Sequence, residues 1–347
     1  MTHRPLAQFV PPDEEWVIVG YRTRPDAKEY REIRVPWMVL QKTEPSGRSV
    51  HTRQIQKLRK SLAPQADDNS FRARVVTTPH GKFGYLRIFT FENSVVDKLV
   101  AEIERLPQNG LIIDIRENNG GRTVTAEQLL QVVSPNYPKN TIEPERFCFI
   151  NTHHVLQLCN LQESNLTLGP AGLQPWIESI KRAMVTGSPY SASFCYTDPK
   201  SCNDERRFHY PGPVIVITDG LTCSAAEMFA AGFQDHGGKL LGLDEMTAGA
   251  GANARTHTEI KGYFEKAEHS PFQSLPKKAD FKIAFRRCQR VGQQAGNEIE
   301  DFGVGRDYGY RMTCKDLLNC NVDLINEAAR LLVSKEFSLP RAIDQGR

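Results

Sequence analysis

The chain has 347 residues, room for one large or two medium domains with a sizeable core. Its 39% apolar and 24% charged residues are ordinary globular composition and exclude a disordered chain; 44 basic and 41 acidic residues, well mixed to a net charge of +3, exclude a dedicated nucleic-acid surface. No apolar run is long enough to span a bilayer and the N-terminal residues lack a signal-peptide segment, so a cytoplasmic chain with no membrane partner is expected.

In chain order, residues 15–21 (EWVIVGY) and 32–40 (EIRVPWMVL) are β-rich runs on either side of a Pro-Asp turn signal, and read as a hairpin. Residues 51–62 (HTRQIQKLRKSL) are basic and weakly amphipathic, an exposed helix followed by a polar break. From residue 71 the texture becomes that of an α/β core: strands at 71–77 and 84–89, then a helix over 93–106 with Val96, Leu99, Val100 and Ile103 at helical spacing. GLIIDI (110–115) is a short, nearly all-apolar strand of the kind buried on both faces. A helix at 125–133, a strand at 214–218, a helix at 224–235 and a strand at 239–243 continue the alternation. Residues 135–211 interrupt it as an insertion, either a lid or substrate wall or a structural excursion. KIAFRRCQRV (282–291) alternates like one strand, and VDLINEAARLL (322–332) is a closing amphipathic helix. The organisation expected is thus a hairpin unit at 1–45, a helical linker at 46–70 and a core at 71–347.

Two Gly-bearing turns end two buried strands. One is DIRENNGG (114–121), and the other is TDGLTCSAAE (218–227). A Gly-Gly pair after a buried strand presents backbone N–H groups without a Cβ in the way, and strand ends of an α/β core are where ligands bind. If the turns are neighbours, the N–H of Gly120 or Gly121 and that of Ala225 flank one point, the geometry of an oxyanion hole. Ser224 then reads as a nucleophile. It reads equally as a helix N-cap in an S-x-x-E capping box with Glu227, whose carboxylate also suits the helix dipole. Cys223 is expected in the core, and Asp114 with Arg116 as a structural ion pair.

These blocks, GLIIDIRENNGG, TCSAAEMFAAGFQDHG, GLDEMTAGAGA and GNEIEDFGVGRD (296–307), together resemble the signature segments of the C-terminal processing (tail-specific) proteases and their tricorn-core relatives, in the family's order over roughly 75–335. The resemblance implies a ClpP/crotonase-like α/β core of mixed sheets and helices, serine-peptidase chemistry, and unstructured or C-terminal peptide segments as substrate. It implies Ser224 as nucleophile and Gly120, Gly121 and Ala225 as oxyanion-hole donors. It also makes the first hairpin similar to the last strands of a PDZ domain. No cofactor and no metal is called for, and a homo-oligomer stays open.

One departure is chemical. The bacterial members activate their Ser with a neutral Lys in a Gly-Lys-Gly segment. Here that segment reads TAGAGA (247–252), with Ala250 at the Lys position and Ala254 where the orienting Gln or Glu belongs. A base other than Lys is therefore needed. Tricorn-like members take a His from chain before the PDZ domain, and such a residue is expected to be missing from this sequence. Within it His257 lies nearest the lost Lys, on the strand expected to leave the Gly-rich turn, although the odd step from 250 turns it to the opposite face unless a bulge intervenes. His51, His80 and His209 are weaker choices, and His236 reads as the cap that closes the helix begun at Ser224. Two other readings stand beside the peptidase: a pseudoprotease that binds peptide without turnover, and a crotonase-type acyl-CoA enzyme sharing the paired N–H groups. The eight cysteines contain no C-x-x-C pair and are expected as reduced, mostly buried thiols.

Overall fold

The computed structural model describes residues 16–21, 31–36, 70–92, 95–163, 172–203, 208–250, 254–265 and 270–334. The chain divides into two units, Met1–Asp67 and Asp68–Arg347. In the first, β1 (Trp16–Tyr21) and β2 (Arg31–Pro36) pair antiparallel, with Trp16 opposite Pro36 and Tyr21 opposite Arg31. The helix expected at 51–62 lies outside the described residues.

The second unit is built on a six-stranded sheet in the order β13-β9-β8-β5-β4-β3. β3 (Phe71–Thr78) and β4 (Gly81–Ile88) form an antiparallel hairpin; β5 (Leu111–Asp114), β8 (Val214–Thr218), β9 (Lys239–Gly242) and the short β13 (Tyr308–Gly309) continue it in parallel. The all-apolar strands are explained by two cores. Leu111, Ile113, Val214, Val216 and Leu240 face one, while Ile112, Ile215, Ile217 and Leu241 face the other, so period-2 alternation buries every residue.

Helices close both faces. α1 (Val96–Arg105) buries Val96, Leu99 and Ile103, and ends where Leu106 turns extended before Pro107. α2 (Thr123–Val133) packs along α5 (Ala225–Asp235), where Gly232 admits Leu130: a Cβ there would stand 2.4 Å from Leu130 Cδ1. α8 (Val322–Leu332) covers the opposite face with Leu324, Ile325, Ala328, Leu331 and Leu332. The short α7 (Cys314–Leu318) precedes it.

The described residues of 135–211 carry regular elements. β6 (Arg146–Phe149) and β7 (Phe194–Cys195) join β12 (Arg286–Gln289) in a three-stranded antiparallel sheet, ordered β12-β6-β7. α3 (His153–Glu163) and α4 (Gln174–Thr186) belong to the same region, and Trp176 of α4 anchors it by donating Nε1–H to Phe147 O at 2.6 Å. The single strand expected over 282–291 is two: Lys282 and Ile283 form β11, paired with β10 (Arg255–Thr256), before β12 begins in the other sheet. α6 (His257–Phe264) follows β10 directly. Among the described residues all eight cysteines are free, but only Cys148, Cys159, Cys202 and Cys288 are buried; Cys314 and Cys320 are exposed. No helix of the described residues is long and apolar enough to cross a membrane.

Candidate active site

β8 delivers the chain to the turn that precedes α5. The Asp219 carboxylate accepts the Leu221 N–H at 3.1 Å and the Thr222 hydroxyl at 3.0 Å, fixing the bend. It also accepts the Glu117 N–H at 3.0 Å, so one side chain ties this turn to the one after β5. Ser224 then takes φ 56° and ψ −127°, a left-handed pose unusual for a residue with a Cβ. Its hydroxyl makes no capping hydrogen bond; the Glu227 N–H goes to the Ser224 carbonyl instead, at 2.8 Å. Both sides of a capping box are in place, the Ser224 hydroxyl facing the Glu227 N–H and the Ser224 N–H donating to Glu227 Oε2 at 3.0 Å, but only the second closes a hydrogen bond. The hydroxyl of this half-buried serine is left available.

The two Gly turns are neighbours, and a fully buried residue joins them. Asn118 Oδ1 accepts the Gly120 N–H at 2.8 Å, its Nδ2 donates to Ile88 O at 3.1 Å, and its carbonyl accepts the Cys223 N–H at 2.9 Å. Gly120, at φ 96°, lies directly against the serine: a Cβ there would sit 2.7 Å from Ser224 Cβ and 2.8 Å from Ala225 N. This corrects one expectation. The Gly120 N–H is engaged by Asn118 and is not a free donor. The Gly121 and Ala225 N–H groups make no hydrogen bond among the described residues, and Ala225 opens α5, where the helix dipole adds to its N–H.

Glu227 organises the other side. Buried on α5, it accepts the Thr247 hydroxyl (2.6 Å) and the Gly249 N–H (2.7 Å) on Oε1, and the Ala250 N–H (2.9 Å) and Ser224 N–H on Oε2. Thr247 Oγ1 in turn accepts the Val304 N–H at 2.9 Å. The Ala250 loop is therefore seated beside Ser224 by a carboxylate rather than by a base. Burial raises the Glu227 carboxyl, and its four donors pull it back. Nearby, burial pushes Glu300 up to about 7, against the Cys288 N–H that it accepts at 2.6 Å, with the Glu227 charge adding to the rise. Burial and the Glu227 charge raise the half-buried Cys223 thiol, whose Sγ points to Ala250 O at 3.9 Å, while the Lys282 charge opposes them.

His257 stands elsewhere than on the expected strand. It is the first residue of α6, buried, with its ring 5.3 Å from that of Phe281 and 6.0 Å from that of Phe272, and no hydrogen bond joins it to Ser224. The capping Thr256 starts a helix there, which makes strand parity irrelevant. His236 closes α5, its Nδ1 2.6 Å from Gly232 O and its Nε2 accepting the Glu143 N–H at 2.9 Å. His209 lies 3.0 Å from Ser134 O, His80 is exposed, and His51 falls outside the described residues. Asp114 is structural in its contacts: fully buried, it takes the Tyr85 hydroxyl at 2.7 Å, Arg87 at 2.6 Å and Arg116 at 2.7 Å. Burial would raise its carboxyl, but the two guanidinium groups hold it down at about 2. Among the described residues no three His, Cys, Asp or Glu side chains converge as metal ligands. Asn118, Asp219 and Thr247 were not singled out from the sequence; a buried Asn between a strand end and a Gly pair was the available signal for the first.

Residues 82–261 match the sequence profile of peptidase family S41, more than half of the chain. The chain belongs to peptidase family S41. Members of that family are serine peptidases, hydrolases of peptide or protein substrates. Among solved structures this S41 chain is similar to mature CPAF complexed with lactacystin, at 17% identity over 91% of this chain and 67% of that one, with a TM-score of 0.54. It is similar also to mature CPAF alone, at 17% identity over 89% and 65%, TM-score 0.54. The photosystem II D1 C-terminal processing protease is a further similar structure, at 14% identity over 92% and 60%, TM-score 0.43. The CPAF likeness shows that the fold is shared, and the S41 chain spans about two thirds of the length of those CPAF chains.

Proposed function

We propose that this chain cleaves unstructured or C-terminal peptide segments with Ser224 as nucleophile. The observation that carries the reading is the place of Ser224, held at a helix N-terminus in a left-handed pose directly against the Gly120 turn. Its Oγ attacks the scissile carbonyl carbon, and the oxyanion that forms is met by the N–H groups of Gly121 and Ala225, with the α5 dipole behind the second. Gly120 contributes by lacking a side chain, since a Cβ would occupy the space beside Ser224. Glu227 and Asn118 act as positioning residues, one through the Ser224 N–H and the other through the Gly120 turn. The base is not a Lys at position 250, because Ala250 has no proton acceptor on its side chain. His257 takes that role only by leaving its seat against Phe272 and Phe281, so a His from outside the described residues fits the chemistry better.

A second reading has its own support: among the described residues no titratable side chain is hydrogen-bonded to Ser224 Oγ. A pseudoprotease that binds peptide without turnover would look the same. A fluorophosphonate probe separates the two. Labelling of the chain that disappears in Ser224→Ala is expected for the peptidase. No labelling, together with retained binding of an unstructured peptide, would decide for the binding module.

A further inference from the structure

The three-stranded sheet is fastened to the core helices by two joints of opposite electrostatic character. The first is an ion pair at the end of α5. Arg290, just after β12, donates Nε to Asp235 Oδ2 at 3.1 Å, and Nη2 to Asp235 Oδ1 at 2.5 Å and to Gln234 Oε1 at 2.9 Å. The second joint holds two carboxyl groups. Glu127 on α2 and Glu145, which immediately precedes β6, are each 1% exposed, and neither carboxyl has a hydrogen-bond partner among the described residues. Thr197, two residues past β7, is buried with its hydroxyl equally unpartnered. That hydroxyl and the Glu145 N–H face Glu127 closely enough to favour its charged form, yet neither closes a hydrogen bond onto it.

Buried polar groups are almost always paired, and a carboxyl taken from water without donors keeps its proton rather than its charge. The surroundings supply no remedy. From α5 comes Asp235, which raises Glu145; from the approach to β6 comes Glu143, which does the same. From the β12 side come the buried Cys288 thiol, Glu300 on the Cys288 N–H, and Arg290, whose charge opposes the rise but whose hydrogen bonds go to Asp235 and Gln234. Arg286 lies over the rings of Phe147 and Tyr196, and Arg146 pairs with Glu143. From β7 and the turn after it come the thiols of Cys195 and Cys202, both raised in part by Glu127.

We propose that the Glu127–Glu145 joint is a protonation-dependent fastening: with its carboxyls neutral the three-stranded sheet sits on α2, and when Glu127 ionises the β6 and β7 edge loosens from that helix. The sign follows from the direction of the shifts. Burial pushes Glu127 up to about 8 from an ordinary 4.5 and lifts Glu145 well above the same value. The folded state thus holds protons that the unfolded chain has released, so the fastening is complete below the ordinary value and is lost as pH rises through the folded one. The ion pair at Asp235 has no such alkaline limit, which confines the loosening to the α2 side. None of this depends on what Ser224 does.

Hydrogen exchange of the whole chain, corrected for intrinsic rates, tests it at the amides of 142–149 and 194–202. In the unaltered protein these amides are expected to lose at least about tenfold in protection between about pH 6 and about pH 9. Glu127→Gln, a neutral isostere, is expected to keep them protected throughout. Protection that is flat with pH, or that falls equally in both proteins, overturns the proposal. Should Glu127→Gln fail to fold, infrared spectra of the Glu300→Gln protein, which lacks the neighbouring raised carboxyl, decide. A protonated-carboxyl band present at neutral pH and lost on alkalinisation sustains the fastening; its absence at neutral pH refutes it.

Discussion

Ser224 holds a backbone pose that costs on the order of 1–3 kcal/mol for a residue with a side chain, and its neighbours hold it there. The Cys223 N–H goes to Asn118 O, the Ser224 N–H to Glu227 and the Ala226 N–H to Cys223 O, so Ala225 is the member of the turn whose N–H stays open. Glu227 is the keystone of this arrangement because all four of its partners are donors. Glu227→Gln would turn an NH2 group against two of them. With hydrogen bonds to a charged group worth about 1.5–3 kcal/mol each, losing two predicts a destabilisation of roughly 3–6 kcal/mol. Urea denaturation would measure it, and a loss below about 1 kcal/mol would show that the carboxylate does not organise the loop. Of this site the sequence displayed the Ser224–Glu227 spacing and the Gly pair, since both are local. It did not display that Glu227 also seats Ala250, or that Asn118 holds Gly120, because those contacts join segments that meet only after the sheet has formed.

At the scale of elements, the helix that carries Ser224 is fixed at its far end by Arg290. The guanidinium is 7% exposed and the Asp235 side chain 0%, so removing the cation strands a buried carboxylate. Arg290→Met is predicted to cost roughly 3–5 kcal/mol, and the double change Arg290→Met with Asp235→Leu to recover most of it, since an apolar pair leaves no uncompensated charge. Thermal unfolding of the three proteins checks this; a double variant no more stable than the single would locate the cost in packing instead. Strands β5 and β8 were legible because burial on both faces leaves an unbroken apolar run, and helix α8 because one buried face imposes a helical period. The stretch 282–291 was legible as strand but not as two strands, since alternation persists while the partner changes from Thr256 to Phe149. His257 was misplaced for a related reason: the T-x-x-E cap at Thr256 and Glu259, which starts α6, is a local signal that the Gly-rich run before it overshadowed.

Across the whole molecule the near balance of 44 basic and 41 acidic residues hides a segregation that composition cannot show. Asp114 is buried with two guanidinium groups, whereas Glu127, Glu145 and Glu300 are buried without a matching cation bonded to them among the described residues. The two kinds of carboxyl make opposite contributions along the pH axis. Asp114 lies at about 2 in the folded chain against an ordinary 3.8, so its stabilisation, about 2 kcal/mol at 1.36 kcal/mol per pH unit, is present above the ordinary value and lost as acid titrates it. Glu300 lies at about 7 against 4.5, so the folded state is favoured at low pH and loses about 3 kcal/mol as pH climbs between those values. Stability should therefore peak on the acid side of neutrality, near about pH 5, and decline toward about pH 8. Urea midpoints across that range are the measurement, and Glu300→Gln should lessen the decline below pH 7 while leaving in place the part set by Glu127 and Glu145 and the acid limb set by Asp114. A midpoint that rises between pH 5 and pH 8 would mean that the buried carboxyls Glu127, Glu145 and Glu300 find their charge compensated in solution and are anions at neutral pH.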